Sequence, residues 1–289
     1  MLHDALIAPF TDFAFMRRAL AAVIALALGG GPIGVFLMLR RMSLVGDAMA
    51  HAILPGAAIG FLLSGLNLLA MTAGGLIAGF AVALLAGLVS RGTGLKEDAS
   101  LATFYLTSLA LGVTIVSVKG TNVDLLHVLF GNILALDDQT LLLVAINATI
   151  TLLVLAVIYR PLVVESVDPL FLRTVSRAGA PAHLAFLALI VVNLVSGFQA
   201  LGTLLAVGLM ILPASIARFW SRDITPMICI AVPTAVLSGY AGLVLSFQTR
   251  IPSGPAIILV AAALYGFSVL FGSVGGLVRQ LFPARHLEA

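Results

Sequence analysis

Charged residues are scarce in this 289-residue chain, where Asp, Glu, Lys and Arg together make up 9% of the sequence. An ordinary soluble domain carries about 25%, so this chain has too few charges to cover a water-exposed surface of its size. A soluble enzyme and an intrinsically disordered chain are therefore excluded. The basic residues are dispersed rather than clustered, which argues against a nucleic-acid-binding protein.

Cysteine is almost absent as well. The single Cys229 excludes an intrachain disulfide framework and a Cys-rich metal site. The HExxH motif of zinc proteases and the GxxxxGK[ST] loop that binds ATP are both missing. We therefore predict that the chain is not an enzyme, and that any ATP hydrolysis resides in a separate partner chain.

Hydrophobic residues, by contrast, make up 61% of the chain and lie in long continuous runs. Because these runs do not alternate with polar residues, they predict helices rather than barrel strands. At about 20 residues per crossing, they predict a single transmembrane domain over 1–289, all-α and multi-pass, in the cell (inner or cytoplasmic) membrane. The runs are 19–39, 44–66, 68–90, 100–118, 139–159, 184–217, 228–247 and 254–277.

The run 184–217 is too long for one crossing and short for two, and Ser196 to Thr203 form a polar break inside it. The positive-inside rule can decide between the alternatives. With loop 91–99 placed in the cytoplasm, two crossings put eleven of the 15 Lys and Arg residues inside, whereas one crossing gives eight. We therefore predict nine spans, or eight if 184–217 is one span. Segments 160–183 and 218–226 are then cytoplasmic, and loop 119–138 is extracytoplasmic.

One acid and one histidine share a hydrophobic run, Asp47 and His51 in SLVGDAMAHAILPGAAIG. Their i, i+4 spacing places carboxylate and imidazole on one helix face, and Pro55 one turn later frees a backbone carbonyl. Oxygen with imidazole suits Mn²⁺, Fe²⁺ or Zn²⁺ better than Na⁺ or Ca²⁺. Two alternatives stay open: a neutral Asp–His hydrogen bond that holds helices together, and an Asp47 helix cap. Two ligands are too few for a metal, so the metal interpretation implies a symmetric homodimer.

Five stretches carry a resemblance to a known family: LRRMSLVGDAMAHAILPGAAIGFLL at 39–63, LKEDASLATFYLTSLALGV at 95–113, VDLLHVLFGNIL at 123–134, FQALGTLLAVGLMILPASIARFW at 198–220 and PSGPAIIL at 252–259. The sequence resembles the membrane permease of the manganese, zinc and iron ABC uptake systems, the ABC-3 family. The resemblance implies an ATP-driven importer that moves Zn²⁺, Mn²⁺ or Fe²⁺ along a homodimer axis, with no permanently bound cofactor. It places the family's metal site on Asp47 and His51. It also implies three partners: a second copy, a cytoplasmic ABC ATPase subunit and an extracytoplasmic metal-binding protein.

The same family is related in architecture to the vitamin B12 and siderophore permeases, in which the ATPase-contacting segment follows a GLxxPHxxR-like stretch. The equivalent here is GLMILPASIAR followed by FWSRDITP. The resemblance thus implies that 218–226 contacts the ATPase, with 168–178 as second candidate. The contact residues would be Arg218, Phe219, Trp220, Ser221, Arg222 and Asp223. The alternatives are a siderophore or cobalamin-type permease, which needs no metal ligands, a secondary cation transporter and an intramembrane enzyme.

Overall fold

The computed structural model describes residues 6–65, 67–93, 95, 97–118, 136–168, 171–172, 174, 176 and 178–278. These residues form helices joined by short turns, and no strand occurs among them. The helices are α1 (Ala8–Asp12), α2 (Ala14–Leu39), α3 (Ser43–Ala52), α4 (Leu54–Ser64), α5 (Leu68–Gly92), α6 (Glu97–Val118), α7 (Asp138–Val167), α8 (Gly179–Leu201), α9 (Thr203–Arg218), α10 (Ile224–Thr249) and α11 (Ser253–Phe271).

Each predicted apolar run corresponds to helix in the structure. Within the described residues, seven helices are long and apolar enough to cross a membrane, with α3 and α4 together forming one of them. Two further apolar helices, Ala99–Ile115 within α6 and Thr203–Arg218, are shorter. The all-helical, multi-pass architecture predicted from composition is thereby confirmed.

The ambiguous run 184–217 forms two helices, α8 and α9, which turn back on each other at Gly202. Gly202 has φ 82° and ψ 163°, a conformation that is essentially restricted to glycine. A Cβ built on Gly197 would lie 2.7 Å from Cβ of Ala206, and these residues are placed symmetrically about the turn. The two helices are therefore antiparallel, as two crossings require.

Helix α2 lies at the centre of the bundle, with 72% of its apolar window buried. Its backbone touches that of α9, because a Cβ on Gly34 would lie 1.9 Å from the carbonyl oxygen of Met210. Any side chain at this position would force the two helices apart. On another face α2 runs alongside α7, where Gly29 would meet Cα of Ala148 at 3.4 Å.

Ion pairs join α2 and α7 at both ends. Arg18, near the start of α2, pairs with Asp138 at the start of α7. Arg40, the residue that follows α2, pairs with Glu165 in the last turn of α7. These matching ends show that α2 and α7 are parallel neighbours.

Helices α4 and α5 are in direct backbone contact. A Cβ on Gly56 would lie 1.9 Å from the carbonyl oxygen of Gly74, and a Cβ on Gly74 would lie 2.1 Å from the carbonyl oxygen of Gly56. A side chain at either position would therefore collide with the backbone of the other helix, so the contact requires glycine on both sides. This reciprocal contact fixes the second half of the broken span α3–α4 onto α5.

Candidate metal site and contact segments

Asp47 and His51 both lie in α3, the short first half of the broken span. The opposite face of α3 is buried in the bundle through Val45 and Met49. Leu44 and Asp47 are exposed, and His51 is partly exposed along the same stripe. The i, i+4 spacing therefore presents both candidate ligands on the side of α3 that faces away from the chain's own core.

The geometry of the pair bears on the two alternatives left open above. Nε2 of His51 lies 3.8 Å from Oδ1 of Asp47, which is beyond hydrogen-bond distance. Asp47 does not cap α3 either, because the N-cap is Met42 and Asp47 lies in the middle of the helix. Nδ1 of His51 is buried and has no hydrogen-bond partner among the described residues. The ring nitrogen placed to bind an ion together with the Asp47 carboxylate is therefore Nε2.

Helix α6 packs against the break that follows the pair. The ring of Tyr105 stacks on His51, with ring centres 6.3 Å apart and 29° between the planes. The hydroxyl of Ser108 donates to the carbonyl of Ala52 at 2.9 Å. Pro55 has no N–H to donate to the carbonyl of His51. α6 therefore supports the backbone at the point where the helical hydrogen-bond pattern is interrupted.

One chain supplies two ligands at this place. Among the described residues, no group of three or more His, Cys, Asp or Glu side chains is close enough to hold a metal ion. A divalent transition metal takes at least four ligands in most protein sites. The exposed side chain of Asp47, 63% accessible, leaves room for further ligands to approach from outside the chain.

The candidate ATPase-contact residues Arg218 to Asp223 form the turn between α9 and α10. The C-terminal end of α11 holds the backbone of this turn. The N–H of Val274 donates to the carbonyl of Phe219 at 2.7 Å, and Nε1 of Trp220 donates to Oγ of Ser268 at 3.0 Å. The turn is therefore a fixed surface feature rather than a loose connection.

Charged side chains of this turn face outward. Arg218, Arg222 and Asp223 are exposed, whereas the hydroxyl of Ser221 accepts from the N–H of Asp223 at 3.1 Å. A cleft of about 380 Å³ opens here, and it is lined by Arg218, Phe219, Arg222, Val274 and Gly275. A partner surface with acidic side chains would be complementary to the two guanidinium groups.

The other predicted segments are described only in part. Residues 160–167 of segment 160–183 continue α7, and Asp168 accepts from the N–H of Phe171 at 2.9 Å, while Leu172 is buried. Of loop 119–138, residues 119–135 lie outside the described residues. At its end Asp137 accepts from the N–H of Thr140 at 2.9 Å. Hydrogen bonding to the side chain of Thr140, and after it to this N–H, holds the pKa of Asp137 below its usual value.

Several residues near the site were not identified from the sequence. Tyr105 and Ser108 lie in LATFYLTSLALG, one of the stretches that carry the family resemblance, and that was the available signal. Glu165 and His183 lie within segment 160–183, and for these two residues the sequence predicted only a cytoplasmic location. Their contact with Arg40 was not predicted, because nothing local in the sequence pairs residues 125 and 143 positions apart.

The bundle of apolar helices long enough to cross a membrane defines a multi-pass membrane protein. The model of the ABC 3 transport family matches residues 12–272, and the chain belongs to that family. It is 31% identical over 278 residues to the manganese transport system membrane protein MntC of Halalkalibacterium halodurans, covering 96% of this chain and 94% of the relative.

Two further proteins extend the comparison. The manganese import system permease protein ScaB of Streptococcus parasanguinis is 32% identical over 255 residues, covering 88% of this chain and 89% of the relative. Among solved structures, PsaBC from Streptococcus pneumoniae in complex with Fab superimposes with a TM-score of 0.84 at 27% identity. That match covers 97% of this chain and the whole of the other.

Proposed function

We propose that this chain is the membrane permease subunit of an ATP-driven importer of a divalent transition metal. The observation that carries the proposal is the pair Asp47 and His51 on the outward side of a broken helix, with Nε2 of His51 3.8 Å from Oδ1 of Asp47. Carboxylate oxygen and neutral imidazole nitrogen are ligands for Mn²⁺, Zn²⁺ and Fe²⁺ alike. We place Mn²⁺ first because the two permeases compared above are named for manganese.

A second copy of the chain completes the proposed site. An ionisable group that faces lipid is costly, by at least about 2.5–3.5 kcal/mol at the centre of a span, and the exposed Asp47 is the fifth residue of the span Ser43–Ser64. A symmetric pairing that covers the stripe of Leu44, Asp47 and His51 removes that cost. It also brings two carboxylates and two imidazoles to one axis, which supplies four ligands.

The driving energy comes from a cytoplasmic ABC ATPase subunit in this proposal. This subunit contacts segment 218–226, in which the exposed Arg218 and Arg222 line the 380 Å³ cleft. Segment 168–178 is a second contact. An extracytoplasmic metal-binding protein delivers the ion to the opposite face. This chain contributes the path and the site.

The experiment compares whole-cell Mn, Zn and Fe by mass spectrometry under metal limitation. The gene is deleted and then restored as wild type, as Asp47→Asn, as His51→Gln, or as the matched control Asp138→Asn. Asp138 is a carboxylate on an exposed helix end outside the site. We expect Mn to fall on deletion, and to be restored by wild type and the control but not by either site variant.

Each alternative function has its own outcome. If Asp47→Asn and His51→Gln restore Mn as well as wild type does, the proposed site is wrong. If no metal changes on deletion, a siderophore or cobalamin-type permease becomes the better explanation. If uptake persists after the partner ATPase gene is deleted, the chain is a secondary cation transporter.

A further inference from the structure

A buried polar cluster lies where the end of α2 meets the end of α7 and the start of α8. The side chain of Arg40 is 8% exposed, and its Nη2 lies 2.6 Å from Oε2 of Glu165. Its Nε donates to Oγ of Ser166 at 3.2 Å. Its Cζ lies 5.1 Å from the ring centre of Phe186, a distance typical of a cation–π contact. We call Arg40, Glu165, Ser166 and His183 the Arg40 cluster.

His183 completes the coordination of the guanidinium. Nη1 of Arg40 lies 3.0 Å from Nδ1 of His183. A guanidinium only donates hydrogen bonds, so Nδ1 accepts and the imidazole is neutral in this arrangement. All three nitrogens of Arg40 thus have a defined partner: a carboxylate, a hydroxyl and an imidazole. Lysine could not reproduce this set, because its ammonium group is a single point donor.

The cluster holds the backbone from which the metal-bearing helix starts. Arg40 is the residue directly after α2, and Arg41 follows with φ 59°, a left-handed conformation that reverses the chain. Helix α3 begins at Ser43 and carries Asp47 in its second turn. The direction of α3 therefore depends on where Arg40 is held.

Both segments proposed to contact the ATPase converge on this cluster. Glu165 and His183 stand on either side of segment 168–178, at the end of α7 and the start of α8. Segment 218–226 reaches it by another route. Phe36, one turn before Arg40, contacts Tyr159 with ring centres 5.9 Å apart. The hydroxyl of Tyr159 lies 3.1 Å from Oγ1 of Thr225.

Stability alone does not account for such a cluster. Replacing a buried ion pair by well-packed apolar side chains is often neutral or stabilising, so an apolar contact could hold these three helix ends together equally well. A charged group with three directional partners differs from an apolar contact in one respect. It has a small number of discrete arrangements, as a coupling element between two states requires.

We propose that the Arg40 cluster couples the ATPase-facing segments to the Asp47–His51 site by setting the position of α3. Arg40 and Glu165 are positioning residues in this proposal, since neither touches the ion. The inference rests on the proposed function. It adds the route by which movement at 168–178 and 218–226 reaches the site.

The test uses the intact transporter, with its ATPase subunit, in lipid vesicles. Mn²⁺ taken up and ATP hydrolysed are measured together, and Mn²⁺ binding is measured separately on the purified complex. The variants are Arg40→Lys and the double variant Arg40→Met with Glu165→Leu, which replaces the ion pair by an apolar contact. The matched controls are Arg18→Lys and Arg18→Met with Asp138→Leu, at the other end of the same two helices.

We expect both Arg40 variants to lower the Mn²⁺ moved per ATP by at least about fivefold, the lower end of the range for coupling between sites. ATP hydrolysis and Mn²⁺ binding should stay within about twofold of wild type, which corresponds to about 0.4 kcal/mol. The Arg18 controls should match wild type in all three measurements. A cluster that only stabilises the fold would lower ATP hydrolysis and Mn²⁺ binding in proportion to the folded protein, and would leave the Mn²⁺ moved per ATP unchanged.

Two results would overturn the proposal. One is a folded apolar double variant that moves as much Mn²⁺ per ATP as wild type. The second applies if that variant does not fold. In that case a wild-type ratio of Mn²⁺ moved to ATP hydrolysed in Arg40→Lys would overturn the proposal. Failure of the wild-type complex to move any metal is a different outcome, because it contradicts the proposed function itself.

Discussion

Helices α2 and α7 lie side by side, and the two ion pairs that join them differ mainly in their surroundings. Arg18 and Asp138 approach to 2.7 Å with side chains that are 41% and 76% exposed. Arg40 and Glu165 approach to 2.6 Å, but their side chains are 8% and 18% exposed. The distances are nearly equal, so distance says little about what each pair does. Burial decides how much each charge depends on its partner.

The free energy lost when one partner is removed should therefore differ between the two pairs. Water can replace the partner of an exposed charge, so such a pair contributes about 0–1 kcal/mol. Arg40 and Glu165 are mostly buried, so the loss of one partner leaves a buried charge that no opposite charge compensates. The three predictions that follow test this difference, in order of decreasing effect.

The largest effect is expected from Glu165→Ala. Arg40 would keep its charge but lose the carboxylate, and breaking a buried pair in this way costs about 3–5 kcal/mol. The measurement is the free energy of unfolding of the purified chain in detergent, with Asp138→Ala as the matched carboxylate deletion. Equal losses in the two variants would show that burial does not distinguish the pairs.

A smaller effect is expected from Asp138→Ala. Its pair with Arg18 is exposed, so we expect a loss of about 0.2–1 kcal/mol. At about 1 M salt the Debye length falls to about 3 Å, close to the 2.7 Å separation of this pair, so the loss should be smaller than at low salt. Unfolding measured at low and high salt checks this. A loss that persists unchanged in high salt would place this pair in the same class as the buried one.

The smallest effect at neutral pH is expected at Asp137, the N-cap residue of α7, which lies next to the exposed pair. Asp137 accepts from the N–H of Thr140, and hydrogen bonding to the Thr140 side chain and to this N–H lowers the pKa of Asp137. The stabilising contact is therefore complete above the usual aspartate pKa and is lost as the pH falls through the lowered value. Asp137→Asn keeps an acceptor and should be nearly as stable at pH 7, but without this acid step.

Hydrogen exchange of the amides at the start of α7, followed with decreasing pH, measures that step. Wild type should lose protection there in acid, whereas Asp137→Asn should not lose it through this group. Identical acid profiles in the two proteins would mean that the carboxylate of Asp137 does not hold the start of α7.

The spans and the candidate pair could be predicted because both are local in the sequence. Continuous apolar runs identify buried helices, and i, i+4 spacing alone places Asp47 and His51 on one face. The break within 184–217 was also accessible, since the polar residues from Ser196 to Thr203 and the distribution of Arg and Lys both indicated it. The structure added the backbone conformation that makes the turn possible.

The Arg40 cluster could not be predicted, because its members come from three distant parts of the chain. In the sequence Arg40 served only as one positive charge among eleven on the cytoplasmic side. The end of α7 was also placed too early, at residue 159. The helix continues to Val167, since Leu162 is fully buried and Pro161 within the helix does not end it. Tertiary packing outweighed the local signal at both places.

The reciprocal contact of Gly56 and Gly74 has a mechanical consequence for the path of the ion. No side chain separates the two backbones here, so rotation of either helix about its own axis would bring a side chain into the contact and push the helices apart. α4 and α5 are thus packed as one unit, and the chain leaves this unit at Ile53, two residues beyond His51. Helix α3 packs elsewhere, with Gly46 against the side chain of Met210 on α9. A displacement of α4 and α5 relative to α3 would therefore have to be accommodated near Ile53, beside the imidazole that is proposed to hold the ion.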